Sequence, residues 1–277
     1  MFRSYRSYNE ALTLADLIER LTRHAAVDGV LLMGSTAGSL TPDSDYDLLV
    51  VVNEMPAPLH LIFTSVDRRL TEVYIETTAC IDDLLASDQP VRSHTFEGTL
   101  AEWLRTGRIM WDRNGRLCHA RHVLENEQWI VPPDDGDMYR TWFHINYNVQ
   151  QTARMLGSRD PIYRMAVDVR LLYSLPDVLV GYFKLHGLPS HGEKSALRHL
   201  QAHDPEFLDL FRRCIAEANR EQKFALYQQL AALALDHAGG LWPDGVTAVQ
   251  FAADAEVQPQ TIDVALRFWG DLIRDER

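Results

Sequence analysis

The sequence contains little cysteine and no long apolar run. Its three cysteines, Cys80, Cys118 and Cys214, lie far apart and follow no metal-ligand spacing. We therefore expect reduced thiols, as in the cytoplasm. No apolar run approaches the roughly 18 residues of a membrane-spanning helix, and the N-terminal segment lacks the apolar stretch of a secretion signal. These absences predict a cytoplasmic protein without a membrane partner.

Positive charge is also scarce. The formal net charge is −12, and lysine is absent until the last third of the chain, where Lys184, Lys194 and Lys223 occur. Proteins that bind nucleic acids are normally basic, so this balance argues against a nucleic-acid partner. It is compatible with a cationic small molecule as substrate, because an acidic cleft attracts cations. Any lysine that contacts a ligand bound by the N-terminal part must come from the C-terminal part.

The apolar pattern of the first half indicates a mixture of helices and strands. Apolar residues recur near a 3.6 period over residues 11–25, which predicts a helix. Short runs rich in aliphatic and β-branched residues at 30–33, 48–52 and 70–77 predict strands. We also expect a helix over residues 59–69.

The texture of the sequence changes at a polar connection with two prolines that begins at Val131. Almost everything after it is predicted to be helical, from the 3.6-residue period of its apolar residues and from glycines and prolines at helix ends. We expect Pro176 to separate two helices, over residues 162–175 and 176–185. The sequence thus predicts an α+β fold. A small mixed β-sheet domain with flanking helices, residues 1–131, precedes an all-α helical bundle domain, residues 132–277.

The sharpest feature of the sequence is a glycine–serine pair followed by two aspartates. Gly34 and Ser35 end one apolar run, nine residues follow, and Asp45 and Asp47 open the next apolar run. Residues two apart in a strand point to the same face, so the two carboxylates should lie side by side. Two hard oxygen ligands beside a flexible glycine suit a magnesium ion that carries substrate phosphates.

This arrangement resembles the signature of the polymerase-β-like nucleotidyltransferase superfamily. Residues 38–50 are especially similar to bacterial antibiotic nucleotidyltransferases and to minimal nucleotidyltransferases, and the resemblance is specific over residues 33–52. It implies a catalytic domain that binds two magnesium ions through Asp45, Asp47 and a third carboxylate, with a helical second domain that completes the cleft.

The third carboxylate is expected on a neighbouring strand, followed by alternating apolar residues. Glu72 fits this pattern best, and Glu76 is the rival, because a residue four positions on lies on the same strand face. Three carboxylates around one point repel each other unless a cation neutralises them. Both residues therefore stay open at this point, Glu72 as a metal ligand and Glu76 also as a residue that faces the substrate.

The resemblance also implies groups that bind the nucleotide. Gly34 would allow close approach of the backbone, and Ser35 would offer a hydroxyl and an N–H to phosphate oxygens. In related two-domain nucleotidyltransferases a lysine of the second domain contacts the nucleotide. Lys194, at a helix start after a glycine, is the first choice here, and Lys184 is the second.

Asp168 is a charged residue in a stretch that is apolar on several sides. A charge in such a place needs a partner, and Arg164 lies four residues earlier on the same helix face. An ion pair with Arg164 is one interpretation of Asp168. The other is a role as a base, or as an anchor for a cation, that faces the substrate.

The resemblance implies a magnesium-dependent enzyme that transfers a nucleoside monophosphate, AMP from ATP in the first instance, to a hydroxyl group and releases pyrophosphate. The acidic balance and the two-domain plan favour a small acceptor such as an aminoglycoside-type antibiotic, which would make the protein a resistance factor. A protein hydroxyl is the second candidate acceptor. An antitoxin-like or nucleotide-sensing regulatory protein with little turnover is the alternative outside enzymes.

Overall fold

In the computed structural model, strands form where β-branched and aromatic residues concentrate, and helices form where the 3.6 period holds. The structure describes residues 12–34, 41, 44–87, 89–93, 95–125, 129–189, 192–252 and 257–273. The chain divides into two compact units, Met1–Val131 and Pro132–Arg277. The first contains a mixed β-sheet with helices and the second is helical, so the predicted α+β class is confirmed.

The first unit is built on a five-stranded sheet with the strand order β3-β4-β2-β1-β6. Its strands are β1 Val27–Met33, β2 Tyr46–Val52, β3 Leu61–Val66, β4 Arg69–Thr77 and β6 Arg108–Asp112. β2 and β4 run parallel, and the other neighbouring strands are antiparallel. A separate two-stranded pair joins β5 Val91–Arg92 to β7 Ile130–Val131.

Helices cover both faces of this sheet. They are α1 Leu14–Arg23, α2 Thr78–Ala86, α3 Phe96–Thr106 and α4 Arg116–Leu124. Leu49 and Val51 of β2 pack with α2, α3 and α4, whereas Leu48 and Val50 pack with α1. Because side chains alternate along a strand, the odd-numbered residues of β2, including Asp47, lie on the face that carries α2 to α4.

The expected helix over residues 59–69 is wrong. Leu61–Val66 is strand β3 at the edge of the sheet, and it joins β4 through a tight turn in which Asp67 and Arg68 both have positive φ, 53° and 62°. This conformation is typical of type I′ hairpin turns, which are usually marked by Asn-Gly or Asp-Gly. The Asp-Arg sequence lacks the glycine that usually marks such a turn, so the turn is not evident from the sequence. The strand itself is rich in β-branched and aromatic residues, which favour extended structure.

The second unit contains six α-helices among its described residues. They are α5 Asp135–Leu156, α6 Pro161–Leu185, α7 Gly192–His203, α8 Pro205–Ala216, α9 Arg220–Leu235 and α10 Pro259–Leu272. Large side chains from α5 to α9 form its core, with Phe183, Phe207 and Tyr227 almost fully buried. No described helix of either unit has both the length and the apolar character needed to cross a membrane.

The expected break at Pro176 is also wrong, because α6 continues through this proline. A proline inside a helix removes one backbone hydrogen bond and costs about 3 kcal/mol. Leu171, Leu175, Val178 and Leu179 flank it and are buried in the core. Their burial, at roughly 1.5–3 kcal/mol for each side chain, is sufficient to offset that cost.

Candidate functional site

Strand pairing brings the residues of the glycine–aspartate motif together. At the end of β1, Met33 pairs with Asp47 of β2, and Gly34 follows at once. On the other side of β2, Asp47 pairs with Glu72 of the parallel strand β4. Neighbouring strands lie about 4.8 Å apart, and paired residues share a face. Asp47 and Glu72 are therefore adjacent carboxylates on one face of the sheet.

Gly34 is required at its position by both conformation and space. Its φ of +63° lies in the left-handed region, which side-chain-bearing residues rarely adopt. A Cβ atom built there would lie 2.5 Å from Oδ2 of Asp47. The backbone at the end of β1 thus passes directly against this carboxylate. Ser35, the other residue expected to bind phosphate, lies outside the described residues.

The segment that leads into Asp45 is tied to the first residue of β4. Arg69 donates two hydrogen bonds from Nη1, to the carbonyl oxygens of Thr41 at 2.6 Å and Ser44 at 2.8 Å. Ser44 is buried, and its Oγ accepts a hydrogen bond from the Thr41 amide at 3.1 Å. Arg69 therefore fixes the approach to Asp45, which is half-buried just before β2.

On the opposite face of β2, Tyr46 anchors the start of the strand. Its hydroxyl donates to Oδ2 of Asp67 in the β3–β4 turn, at 3.2 Å, and the same oxygen accepts the Leu14 amide at 3.0 Å. Burial, followed by this hydrogen bond to Asp67, raises the pKa of Tyr46. The start of β2 is thus anchored on the face of the sheet opposite to the one on which Asp47 lies.

Tyr74 joins Glu72 to the electrostatics of the site. Its hydroxyl donates to Oε2 of Glu72 at 3.2 Å. Burial raises the pKa of Tyr74, and the negative charges of Glu72 and then Asp47 raise it further. Sequence reasoning overlooked Tyr74 and Arg69 as site residues. The signal for Tyr74 was its position two residues after Glu72, which puts both side chains on one face.

Glu76 occupies a different place on the same strand. It pairs with Val51, not with Asp47, and four residues of strand correspond to about 13 Å from Glu72. Its buried carboxylate lies 3.4 Å from Nδ1 of His60. Burial and then the charge of Glu76 raise the pKa of Cys80 to about 11. Glu76 is thus engaged in a separate set of contacts.

The donor set at Asp47 has the chemistry that magnesium prefers. Carboxylate oxygens are hard ligands, and magnesium is usually bound by one or two protein carboxylates together with substrate phosphates. Asp47 and Glu72 supply such a pair, with Asp45 two residues before. Among the described residues, no three His, Cys, Asp or Glu side chains form a group that could hold a metal ion, so Asp45, Asp47 and Glu72 are not assembled as a set of three ligands. The residues fit a magnesium ion that is shared with a phosphate-bearing substrate.

The candidate residues of the second unit have different surroundings. Lys194 is exposed in the first turn of α7, and Lys184 lines a cavity between α5 and α6. Asp168 pairs with Arg220 of α9 and not, as one interpretation held, with Arg164. Nε and Nη2 of Arg220 donate to its two oxygens at 2.7 and 2.5 Å. These bonds hold the pKa of Asp168 below its usual range.

Comparisons with known proteins found a distant likeness to a solved structure. No protein-family model matches the chain, and no curated protein matches it. The chain is similar to the solved structure of a nucleotidyltransferase-like protein from Exiguobacterium sibiricum 255-15, with 13% sequence identity and a TM-score of 0.38. The similarity covers 79% of this chain and 74% of that chain. The functional conclusion below therefore rests on the motif and on the geometry of the first unit.

Proposed function

We propose that the protein is a magnesium-dependent nucleotidyltransferase. It transfers a nucleoside monophosphate, AMP from ATP, to a hydroxyl group of a small molecule and releases pyrophosphate. The observation that carries this proposal is the strand register that sets Asp47 beside Glu72, with Gly34 packed against the Asp47 carboxylate. Adjacent carboxylates are hard oxygen ligands of the kind that magnesium prefers, so this pair supports a cation-dependent function.

The roles of the acidic residues follow from their chemistry. Asp47 and Glu72, with Asp45 two residues before, would hold the magnesium together with the phosphates of the substrate; when bound, magnesium neutralises phosphate charge and lowers the pKa of an attacking hydroxyl. Tyr74 orients Glu72 through its hydroxyl. Arg69 keeps the segment before Asp45 in place. Such fixed positions matter because a displacement of the reacting groups by about 1 Å can cost a hundredfold in rate.

The phosphate groups would be received by the residues that follow β1, beginning with Gly34. Gly34 has no side chain, so its backbone permits the close approach that a polyphosphate needs. Ser35 would add a hydroxyl and an N–H donor. Lys194 is proposed to contact the nucleotide from the second unit, with Lys184 as the other lysine of that region. The argument for these lysines is the resemblance described above.

The acceptor is proposed to be a small cationic molecule of the aminoglycoside type. The net charge of −12 favours the approach of a cation over that of a nucleic acid. Under this proposal the protein inactivates an antibiotic by adding AMP to one of its hydroxyl groups.

The proposal is tested by labelling. The protein is incubated with magnesium and with ATP, CTP, GTP or UTP labelled at the α-phosphate, together with aminoglycosides and, separately, with cell proteins. We expect a labelled small-molecule product with ATP. Asp47→Asn should reduce labelling to background, because it removes a metal-binding charge without changing the volume of the side chain.

The matched control is Glu54→Gln, in the exposed loop beyond the other end of β2. It makes the same chemical change outside the site and should leave labelling intact. Undiminished labelling in a folded Asp47→Asn protein would overturn the assignment of Asp47. The absence of any labelled product with all four nucleotides would overturn the proposed activity.

A further inference from the structure

The second unit contains a cavity whose lining includes none of the carboxylates of the proposed transferase site. Its volume is about 450 Å³, and the residues that line it belong to α5 and α6, with Gln250, Phe251 and Val257. Small-molecule sites in proteins typically measure about 300–1,000 Å³ and combine apolar walls with a few polar groups. The cavity has this size, and its walls have this composition.

Three aromatic rings form the apolar part of the wall. The ring of Tyr139 lies 6.5 Å from that of Phe143 and 6.1 Å from that of Phe251, measured between centroids. The Tyr139 hydroxyl donates to the carbonyl oxygen of Val249 at 2.7 Å. This hydrogen bond ties the segment that carries Phe251 to α5. The rings are therefore held in place and offer faces and edges on which a flat ligand can pack.

Lys184 provides a cation in the same cavity. Its side chain is half-buried, and within the part of the chain that the structure describes its amine makes no hydrogen bond and no ion pair. Burial lowers the pKa of Lys184 and the charge of Arg140 lowers it further, whereas the carboxylates of Asp137 and Asp134 raise it; the net shift is downward. The two carboxylates therefore offset only part of the cost of desolvating the ammonium group. An anionic group bound beside it would remove that cost.

The other charged groups of the wall are already engaged with protein partners. Arg140 lies 3.4 Å from a carboxylate oxygen of Asp137. At the other end of the cavity, Oδ2 of Asp177 lies 3.0 Å from Nε2 of His144. Asp177 is seven residues before Lys184 on α6, or about 10 Å along the helix. Asp177 is thus too far away to form an ion pair with Lys184.

We propose that this cavity binds a small molecule that carries both an aromatic ring and a carboxylate or phosphate group. The anion pairs with the Lys184 ammonium group, and the ring packs among Tyr139, Phe143 and Phe251. Nucleoside monophosphates and non-nucleotide aromatic acids share this chemistry. Lys184 is also the second lysine proposed to contact the nucleotide, but binding to this cavity is measured without the transfer of AMP, so the two proposals can fail separately.

The test is calorimetric titration of the full-length protein with phenyl phosphate, benzoate and AMP, with benzyl alcohol as the uncharged probe. We expect saturable binding of at least one of the three anions and none of benzyl alcohol. A charge-assisted contact corresponds to a factor of about ten or more in affinity. Lys184→Met should therefore weaken the anion at least tenfold, and Lys184→Arg should retain most of the affinity.

The matched control is Lys223→Met on α9, which removes the same charge outside the cavity and should change nothing. Phe251→Ala, which removes part of the wall and no charge, should weaken the same ligand and gives a second variant if Lys184→Met unfolds. Comparison of AMP with phenyl phosphate distinguishes a nucleotide from another aromatic acid.

Three results would overturn the inference. They are no saturable binding of any of the three anions, equal loss in Lys184→Met and Lys223→Met, and unchanged affinity in folded Lys184→Met or Phe251→Ala. Loss of binding in Asp47→Asn would also contradict it, because the anion would then depend on the carboxylate site. Failure of the labelling assay with binding intact would instead overturn only the proposed transferase activity.

Discussion

Asp47 of the first unit and Asp168 of the second are both partly exposed acidic residues. The side chain considered beside Asp47 is acidic, whereas the one beside Asp168 is basic. Strand pairing sets Asp47 beside another carboxylate, Glu72. Asp168 instead accepts hydrogen bonds from Nε and Nη2 of Arg220. Like charges held together cost stability, and an exposed ion pair contributes a little. The first arrangement is therefore expected to serve activity and the second to serve stability.

The largest effect that would sharpen this contrast concerns the third carboxylate. Glu72→Gln should reduce labelling by about a thousandfold, which is the size of loss seen when a charge-stabilising group is removed from an active site. Glu76→Gln is the matched change four residues on, and labelling should stay within about threefold of the wild type. Rates with labelled ATP and magnesium measure both. The reverse order of effects would reassign the ligand to Glu76.

A second, somewhat smaller effect is expected at Gly34. Alanine there needs a left-handed conformation, which costs about 1–2 kcal/mol, and its Cβ would meet an Asp47 oxygen at 2.5 Å. Gly34→Ala should thus lower both labelling and the free energy of unfolding. Gly115→Ala is the control, because that glycine also has positive φ, +74°, but open space around its Cβ position. Denaturant unfolding together with labelling should show a stability loss in both variants and lost activity in Gly34→Ala alone.

The smallest effect is expected at Asp168. Its side chain is 50% exposed, so solvent screening limits the ion pair to about 1 kcal/mol or less. Asp168→Asn should lower the free energy of unfolding by that amount and leave labelling unchanged. Lost labelling with unchanged stability would instead favour a role for Asp168 at the substrate.

The pH dependence of that loss is fixed by the sign of the pKa shift. The pKa of Asp168 is lower in the folded state, so its contribution is complete above the unfolded value of about 3.9 and disappears as the pH falls through the folded pKa. Urea titrations of wild type and Asp168→Asn should therefore differ at pH 7 and converge in acid. A difference that persists below both pKa values would contradict the ion-pair explanation.

Sequence reasoning succeeded where a period or a local rule decides the structure. The α+β class followed from the change in apolar pattern near Val131. The start of α8 obeys the helix-capping rules, with Asp204 as the N-cap and Pro205 in the first turn. The closeness of Asp47 to Glu72 could not be derived from spacing, because it depends on the pairing of strands 25 residues apart.

The errors have physical reasons too. β3 was mistaken for a helix because its turn uses Asp67 and Arg68 in place of glycine. The rule that proline ends a helix predicts a break at Pro176, because that rule ignores the core that surrounds this residue. Arg69 and Tyr74 remained unnoticed because their roles come from contacts with backbone carbonyls and with a neighbouring carboxylate. The cavity around Lys184 depends on the packing of α5, α6 and a distant segment, which no local pattern encodes.

The parallel pairing of β2 and β4 has a consequence for how such a chain can vary. Asp47 and Glu72 lie on two strands whose spacing is set by the backbone hydrogen bonds between them. Along the chain they are separated by strand β3, which forms a hairpin with β4. Insertions or deletions in the loop between β2 and β3 should leave the acidic pair undisturbed, since each doubling of loop length costs only about 0.6 kcal/mol. A single residue inserted within either strand before its carboxylate would instead turn that side chain to the opposite face of the sheet.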